Sequence, residues 1–177
     1  MDRDEKVPTG TSHTVSLLVE NKPGVLHRIA GLFSRRGYNI ASLTVGPTER
    51  PEYSRMTIVV LLSSKTVEQV VRQVQKLVPV VEVRELSPVD LLERELLLVK
   101  IRTPEKNHAE LRALAETYEA KIVDVSPDAL IIEASGNAGK LDALEDRLAP
   151  YGIQEICRSG RIALERGFKT LAPPNLK

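Results

Sequence analysis

What most constrains the fold of this chain is the order in which two hydrophobic periods alternate along it. His13 to Val19 has period two, with Val15, Leu17 and Val19 on one side and Thr14, Ser16 and Leu18 on the other, the pattern of a half-buried strand. After the turn cluster Asn21-Lys22-Pro23-Gly24 the period changes to 3.6, with Leu26, Ile29, Ala30 and Phe33 on one helical face. That helix should end at Arg35-Arg36-Gly37, where cations suit the negative end of the dipole and glycine suits a left-handed cap. Asn39 to Val45 and Tyr53 to Leu62 are again strand-like, joined by the turn-rich Gly46-Pro47-Thr48-Glu49-Arg50-Pro51. Val67, Val70, Val71, Val74 and Val78 then mark a helix that Pro79 should end, and Val80 to Leu86 is extended. The order is strand, helix, strand, strand, helix, strand.

The rest of the chain repeats that order without close identity between the halves. Glu95 to Arg102 reads as a strand, and Thr103-Pro104 as the N-cap and first residue of a helix carrying Leu111, Leu114, Ala115 and Tyr118. Lys121 to Val125 and Ala129 to Ala134 flank the tight turn Ser126-Pro127-Asp128. Asn137 should cap a last helix bearing Leu141, Leu144 and Leu148, and Gly152 to Cys157 opens the closing strand. The expected architecture is α+β, two tandem βαββαβ domains at 12–87 and 92–168, with frayed tails at 1–11 and 169–177. In each, both helices should cover one face of a four-stranded sheet and leave the other face and the edges available.

Composition narrows the function classes. The 177 residues are 42% hydrophobic and 28% charged, which suits a packed globular core. The 25 basic and 24 acidic residues nearly cancel, so no overall field favours nucleic acid or an anionic membrane. Aromatic residues are only 3%, a poor supply of base-stacking surfaces. No apolar run is long enough to cross a bilayer and the polar N-terminus lacks the apolar segment of a signal peptide, so the expected location is cytoplasmic. Cys157, the single cysteine, reads as a small core or strand residue. His13, His27 and His108 are scattered, and no metal-ligand spacing, nucleophile elbow or phosphate-cradling glycine loop is present. No catalytic residue, metal or cofactor site is expected in this chain.

One constellation is concentrated enough to suggest chemistry. Asn21-Lys22-Pro23-Gly24-Val25-Leu26 leaves a strand and opens a helix, and Asn39-Ile40 begins the next strand. A helix N-terminus offers unpaired N–H groups and partial positive charge to a small carboxylate, and Gly24 lets a ligand approach the backbone. Asn21 and Asn39 supply amide donors for a carboxylate and carbonyl acceptors for an ammonium group, so the set matches a free amino acid. The competing interpretation is that Asn21 and Gly24 only shape a turn and Asn39 only follows a helix cap. His27 borders a ligand or faces solvent, and solvent is favoured.

The Asn-x-Pro-Gly strand-turn-helix resembles the ACT domain, a ferredoxin-like module that senses amino acids. The resemblance sharpens over Gly31-Leu32-Phe33-Ser34-Arg35-Arg36-Gly37-Tyr38-Asn39-Ile40, Ser42-Leu43-Thr44-Val45-Gly46-Pro47-Thr48 and Ser54-Arg55-Met56-Thr57-Ile58. Over that length the chain resembles the small, regulatory subunit of acetolactate synthase. The resemblance implies two ferredoxin-like domains, the first an ACT domain, and a homodimer binding valine, leucine or isoleucine where its subunits meet. The Asn21–Leu26 loop of one chain would face Asn39 and Ile40 of the other, with Val45 and Gly46 as less firm neighbours. It also implies activation and feedback inhibition of a large catalytic subunit, which would carry the thiamine diphosphate, magnesium and FAD. Two other classes are weighed beside it. An acylphosphatase-like hydrolase would use Arg28 and Asn39, but Arg28 falls a turn into the helix, poorly placed to clamp a phosphate. A stand-alone ACT sensor acting on transcription would need a helix-turn-helix or basic stripe that the sequence lacks.

Overall fold

The structure, a computed structural model, describes residues 10–172. Of the tails expected at 1–11 and 169–177, residues 1–9 and 173–177 lie outside the described residues. The first βαββαβ set is β1 (Thr11–Glu20), α1 (Val25–Arg35), β2 (Ile40–Pro47), β3 (Tyr53–Leu62), α2 (Ser64–Val74) and β4 (Val80–Leu86). Its antiparallel strands stand in the order β2-β3-β1-β4, with β1 opposite β3 from Thr11↔Leu62 to Glu20↔Tyr53. The period-two residues Val15, Leu17 and Val19 face Ile29 and Phe33 of α1 and Val67, Val70 and Val74 of α2 in one core. Burying each such side chain fully contributes about 1.5–3 kcal/mol, enough to make the weak helix former valine helical along α2.

The second set begins with β5 (Leu91–Arg102) and continues through α3 (His108–Thr117), β6 (Lys121–Ser126), β7 (Ala129–Gly136), α4 (Ala138–Leu148) and β8 (Ile153–Arg158). Its strand order, β6-β7-β5-β8, is the same permutation as in the first set. Leu97, Val99 and Ile101 pack with Leu130, Ile132, Leu111, Leu141, Leu144 and Leu148 in a second core. The α+β class and doubled topology follow the sequence expectation.

Two expectations need correction. Helix α2 ends at Val74, not at Pro79: Lys76 N–H donates to the Gln73 carbonyl and Leu77 N–H to that of Val74, tightening the chain out of helical register. Val78 is therefore 89% exposed, and Leu77 packs against the core instead. Thr103 is not a helix cap, because its N–H donates to the Asp128 carbonyl and its hydroxyl is buried without a partner. A 3-10 turn, Glu105–Asn107, intervenes before α3. Cys157 lies on a strand, one of the two expected settings, and is exposed.

The chain divides into two compact units. One compact unit runs through Leu92 and takes in the chain again from Arg161, and the other is Glu93–Gly160. A ninth strand, β9 (Ile162–Glu165), pairs with β5, and Arg166 N–H donates to the Asp90 carbonyl at 2.7 Å. The returning segment 161–172 lies on the sheet face expected to be open. Ser42 Oγ accepts from Arg161 N–H at 2.8 Å and Thr44 Oγ1 donates to the Arg161 carbonyl at 2.7 Å. Arg84 reaches Glu165 at 2.8 Å, Arg55 donates to the Leu171 carbonyl at 3.2 Å, and Ala172 N–H donates to Glu82 at 3.3 Å. Ala163 and Leu171 are buried, as are Ser16 and Thr57 of the sheet. Residues 169–172 thus belong to the first unit. Each of these anchors joins groups more than 80 positions apart, so no local pattern announces them.

Candidate amino-acid site

Between β1 and α1 the chain makes a tight, supported loop. Asn21 N–H donates to the Glu52 carbonyl at 2.8 Å and its side-chain amide to the Pro51 carbonyl at 2.9 Å, so the β2–β3 turn clamps the loop. The Asn21 donor is thereby committed, and what remains for a ligand is its carbonyl oxygen, an acceptor suited to an ammonium group. Pro51, expected only as part of a turn-rich linker, and Glu52 just after it are thus contributors to the loop. Lys22 pairs with Glu20 at 3.0 Å at the surface, and Pro23 is exposed.

Gly24 occupies the N-cap of α1 with φ 81°, a left-handed conformation, and an added Cβ would meet nothing within 4 Å. No side chain caps this helix, and its first turn holds no acidic residue. Apart from Val25 N–H, which donates to the Lys22 carbonyl at 3.4 Å, the opening amides of α1 and the positive end of its dipole are thus left for solvent or an anion, beside an open space. Val25 is buried in the core and serves packing, whereas Leu26 is 44% exposed and offers an apolar surface at the loop. His27 and Arg28 are exposed, and Arg28 N–H donates to the Gly24 carbonyl, placing it one turn into the helix.

Gly37 caps the other end of α1 with φ 67°, and Tyr38 N–H returns to the Phe33 carbonyl at 3.0 Å. This sets the exposed Asn39 and the half-buried Ile40 at the start of β2, an edge strand. Through the ladder Ile40↔Val60↔His13, that start lies level with His13, while the Asn21 loop follows Glu20 at the far end of β1. Seven residues of strand separate the two levels, roughly 24 Å at about 3.4 Å per residue. The structure therefore brings Asn21–Leu26 together and holds Asn39–Ile40 apart from them within one protomer. Val45 is 45% exposed near the loop end of β2.

Elsewhere, Nδ1 of the buried His13 meets Glu85 at 2.6 Å, while His108 Nε2 is buried without a partner. Among the described residues, no group of three or more His, Cys, Asp or Glu side chains is placed to hold a metal ion, and no helix is long and apolar enough to cross a membrane.

The comparisons with known proteins cover both units. A profile for the AHAS small subunit-like ACT domain matches residues 15–82, and one for the small subunit of acetolactate synthase matches 94–167. A probable acetolactate synthase small subunit of Archaeoglobus fulgidus is 50% identical over 157 residues, covering 89% of this chain and 98% of that protein. The acetolactate synthase small subunit of Mycobacterium bovis is 46% identical over 156 residues, covering 88% and 93%. Among solved structures, the acetolactate synthase small subunit from Thermotoga maritima superposes with a TM-score of 0.83 at 42% identity, covering 89% of this chain and 98% of that one. With profiles on both units and near-complete relatives at this identity, the chain belongs to the acetolactate synthase small-subunit family, as a regulatory subunit with an N-terminal ACT domain.

Proposed function

We propose that this chain senses a branched-chain amino acid, valine first and leucine or isoleucine beside it, and conveys that binding to a catalytic large subunit as feedback inhibition. The observation that carries this reading is the opening of α1: uncapped amides, a left-handed Gly24 and open space in front of them, within an ACT domain. The amino acid's carboxylate sits against those amides, its ammonium meets the Asn21 carbonyl, and its side chain lies on Leu26.

The remaining contacts come from a second copy. A two-fold axis normal to the sheet reverses strand direction, so a partner joined along the edge strand β2 delivers its Asn39 and Ile40 to the loop end of the first protomer. In this reading the active form is a homodimer with paired sites, located in the cytoplasm. Thiamine diphosphate, magnesium and FAD belong to the large subunit, which this chain activates, and this chain turns over no substrate by itself.

Calorimetric titration with valine, leucine and isoleucine tests the reading, using Gly24 variants to locate the site. An aspartate at position 24 sets a like charge beside the carboxylate. Two unit charges about 4 Å apart repel by roughly 4 kcal/mol at an effective dielectric near 20, and even half of that is more than a tenfold loss of affinity. Because φ is positive there, any side chain adds roughly 1–2 kcal/mol of backbone strain. Gly24→Asn carries comparable strain without charge, so the expected order of affinity is parent, Asn, Asp. Asn39→Ala, which adds no charge, should weaken binding less than Gly24→Asp. Folded Gly24→Asp protein that bound valine as tightly as the parent would place the site elsewhere.

A further inference from the structure

Strand β2 carries two kinds of residue close together. Asn39 and Ile40 stand at its start, and Ser42 and Thr44 follow two and four positions beyond Ile40. Both hydroxyls are spent on one residue, Arg161, whose N–H and carbonyl they engage at 2.8 and 2.7 Å. Arg161 is where the chain re-enters the first unit after Glu93–Gly160.

The segment that begins there is held mostly by polar contacts. Ala163 and Leu171 are its buried apolar anchors, whereas Ile162, Leu164 and Phe168 are exposed. Arg84 joins Glu82 and Glu165, and Arg55, Thr170, Leu171 and Ala172 complete the attachment. Beneath it a cavity of about 170 Å³ remains, lined by Ser16, Arg55, Leu86, Glu165, Lys169 and Leu171. A segment fixed by a few directional bonds over an incompletely filled space is easily shifted, because small displacements break such bonds while little apolar area is lost.

We infer that Ser42 and Thr44 are positioning residues for regulation: they tie the strand that touches the effector to the 161–172 strap, so a shift of β2 on effector binding moves the point at which the second unit is attached. This rests on the effector reading given above, and it adds the route by which an occupied site is felt beyond the ACT domain. Two elements serve the route, strand β2 and the strap docked on its sheet through Arg161.

The test uses the full chain reconstituted with its catalytic subunit. In Ser42→Ala/Thr44→Val, valine affinity by calorimetry should stay within about threefold of the parent, while the inhibition reached at saturating valine falls severalfold, because a weakened coupling lowers the response of an occupied site. Hydrogen exchange over 161–172 should quicken in this variant without valine, and in the parent should change when valine is added. Arg84→Met, which loosens the strap from β4, should also lower the inhibition reached at saturating valine. Parent-like inhibition in both variants, with faster strap exchange, would overturn the coupling and leave the effector site standing. A tenfold or larger loss of valine affinity in Ser42→Ala/Thr44→Val would overturn it too, placing those hydroxyls in the binding site. A parent chain that failed to bind any branched-chain amino acid would overturn the effector reading and this inference together.

Discussion

The two units share one strand permutation and differ in how they finish it. In the first, the loop before α1 carries a left-handed glycine with open space around it; in the second, the loop before α3 tightens into a 3-10 turn between the buried Thr103 and His108. The outer sheet face also differs. The first buries Thr14, Ser16 and Thr57 where a returning strap lies, while the second leaves Leu96 and Cys157 exposed, with the Lys100–Glu155 pair in solvent. The same topology thus supports a unit with an open left-handed loop and a covered outer face and a unit with neither, so the candidate function is sought in the loop and the cover, not in the fold. The second helices are alike: α2 and α4 are each capped by a side chain, Ser63 or Asn137, whereas α1 and α3 have none.

The largest effects should come from the two cores. Phe33→Ala and Leu144→Ala each remove a buried side chain from its unit, costing about 3–5 and 2–5 kcal/mol respectively. Native-state hydrogen exchange should show Phe33→Ala opening the first unit together with 161–172, and Leu144→Ala opening the second. If Phe33→Ala stripped protection equally from β5 and β7 in the second unit, the division into two units would not describe the protein's stability.

A smaller effect sharpens the comparison at the matched caps. Asn137 accepts from Lys140 N–H at 2.9 Å, while Ser63 accepts from Thr66 N–H at 3.3 Å and also bonds its hydroxyl. Each change to alanine should cost about 1 kcal/mol, with Asn137→Ala the larger of the two. Denaturant midpoints measure both, and a larger loss from Ser63→Ala would show that the bond between hydroxyls outweighs cap geometry.

The smallest effect belongs to the strap alone. Arg84, and after it Lys169, hold the Glu165 carboxyl below the usual glutamate range. A carboxylate depressed in the folded state contributes docking that is fully present above its unfolded value, about 4.3, and is lost as pH falls through the lower folded value. Strap exchange, corrected for the intrinsic pH dependence, should therefore be flat from pH 7 to about 5 and quicken only in more acid solution. Glu165→Gln should remove that acid step and loosen the strap modestly at neutral pH. An unchanged acid step in Glu165→Gln would assign it to another group.

How much of this was legible beforehand follows from how local each cause is. Period-two and period-3.6 patterns involve neighbours a few residues apart, so the sequence alone determined β1, α1, β3 and β4, the capping roles of Gly37 and Asn137, and the loop at Asn21–Leu26. The end of α2 and the start of α3 were missed because turns with 3-10 bonds override a valine stripe and a Thr-Pro signal that read as helical. Only the tertiary structure showed that Asn21 spends its amide on Pro51, that Val25 is core, and that Asn39 lies at the opposite end of the sheet from the loop. It alone returned 161–172 to the first unit, through bonds between residues 80 to 120 positions apart. A side chain's own neighbourhood in sequence fixes its backbone habit, but its hydrogen-bond partners are chosen by whatever the folded chain sets opposite it.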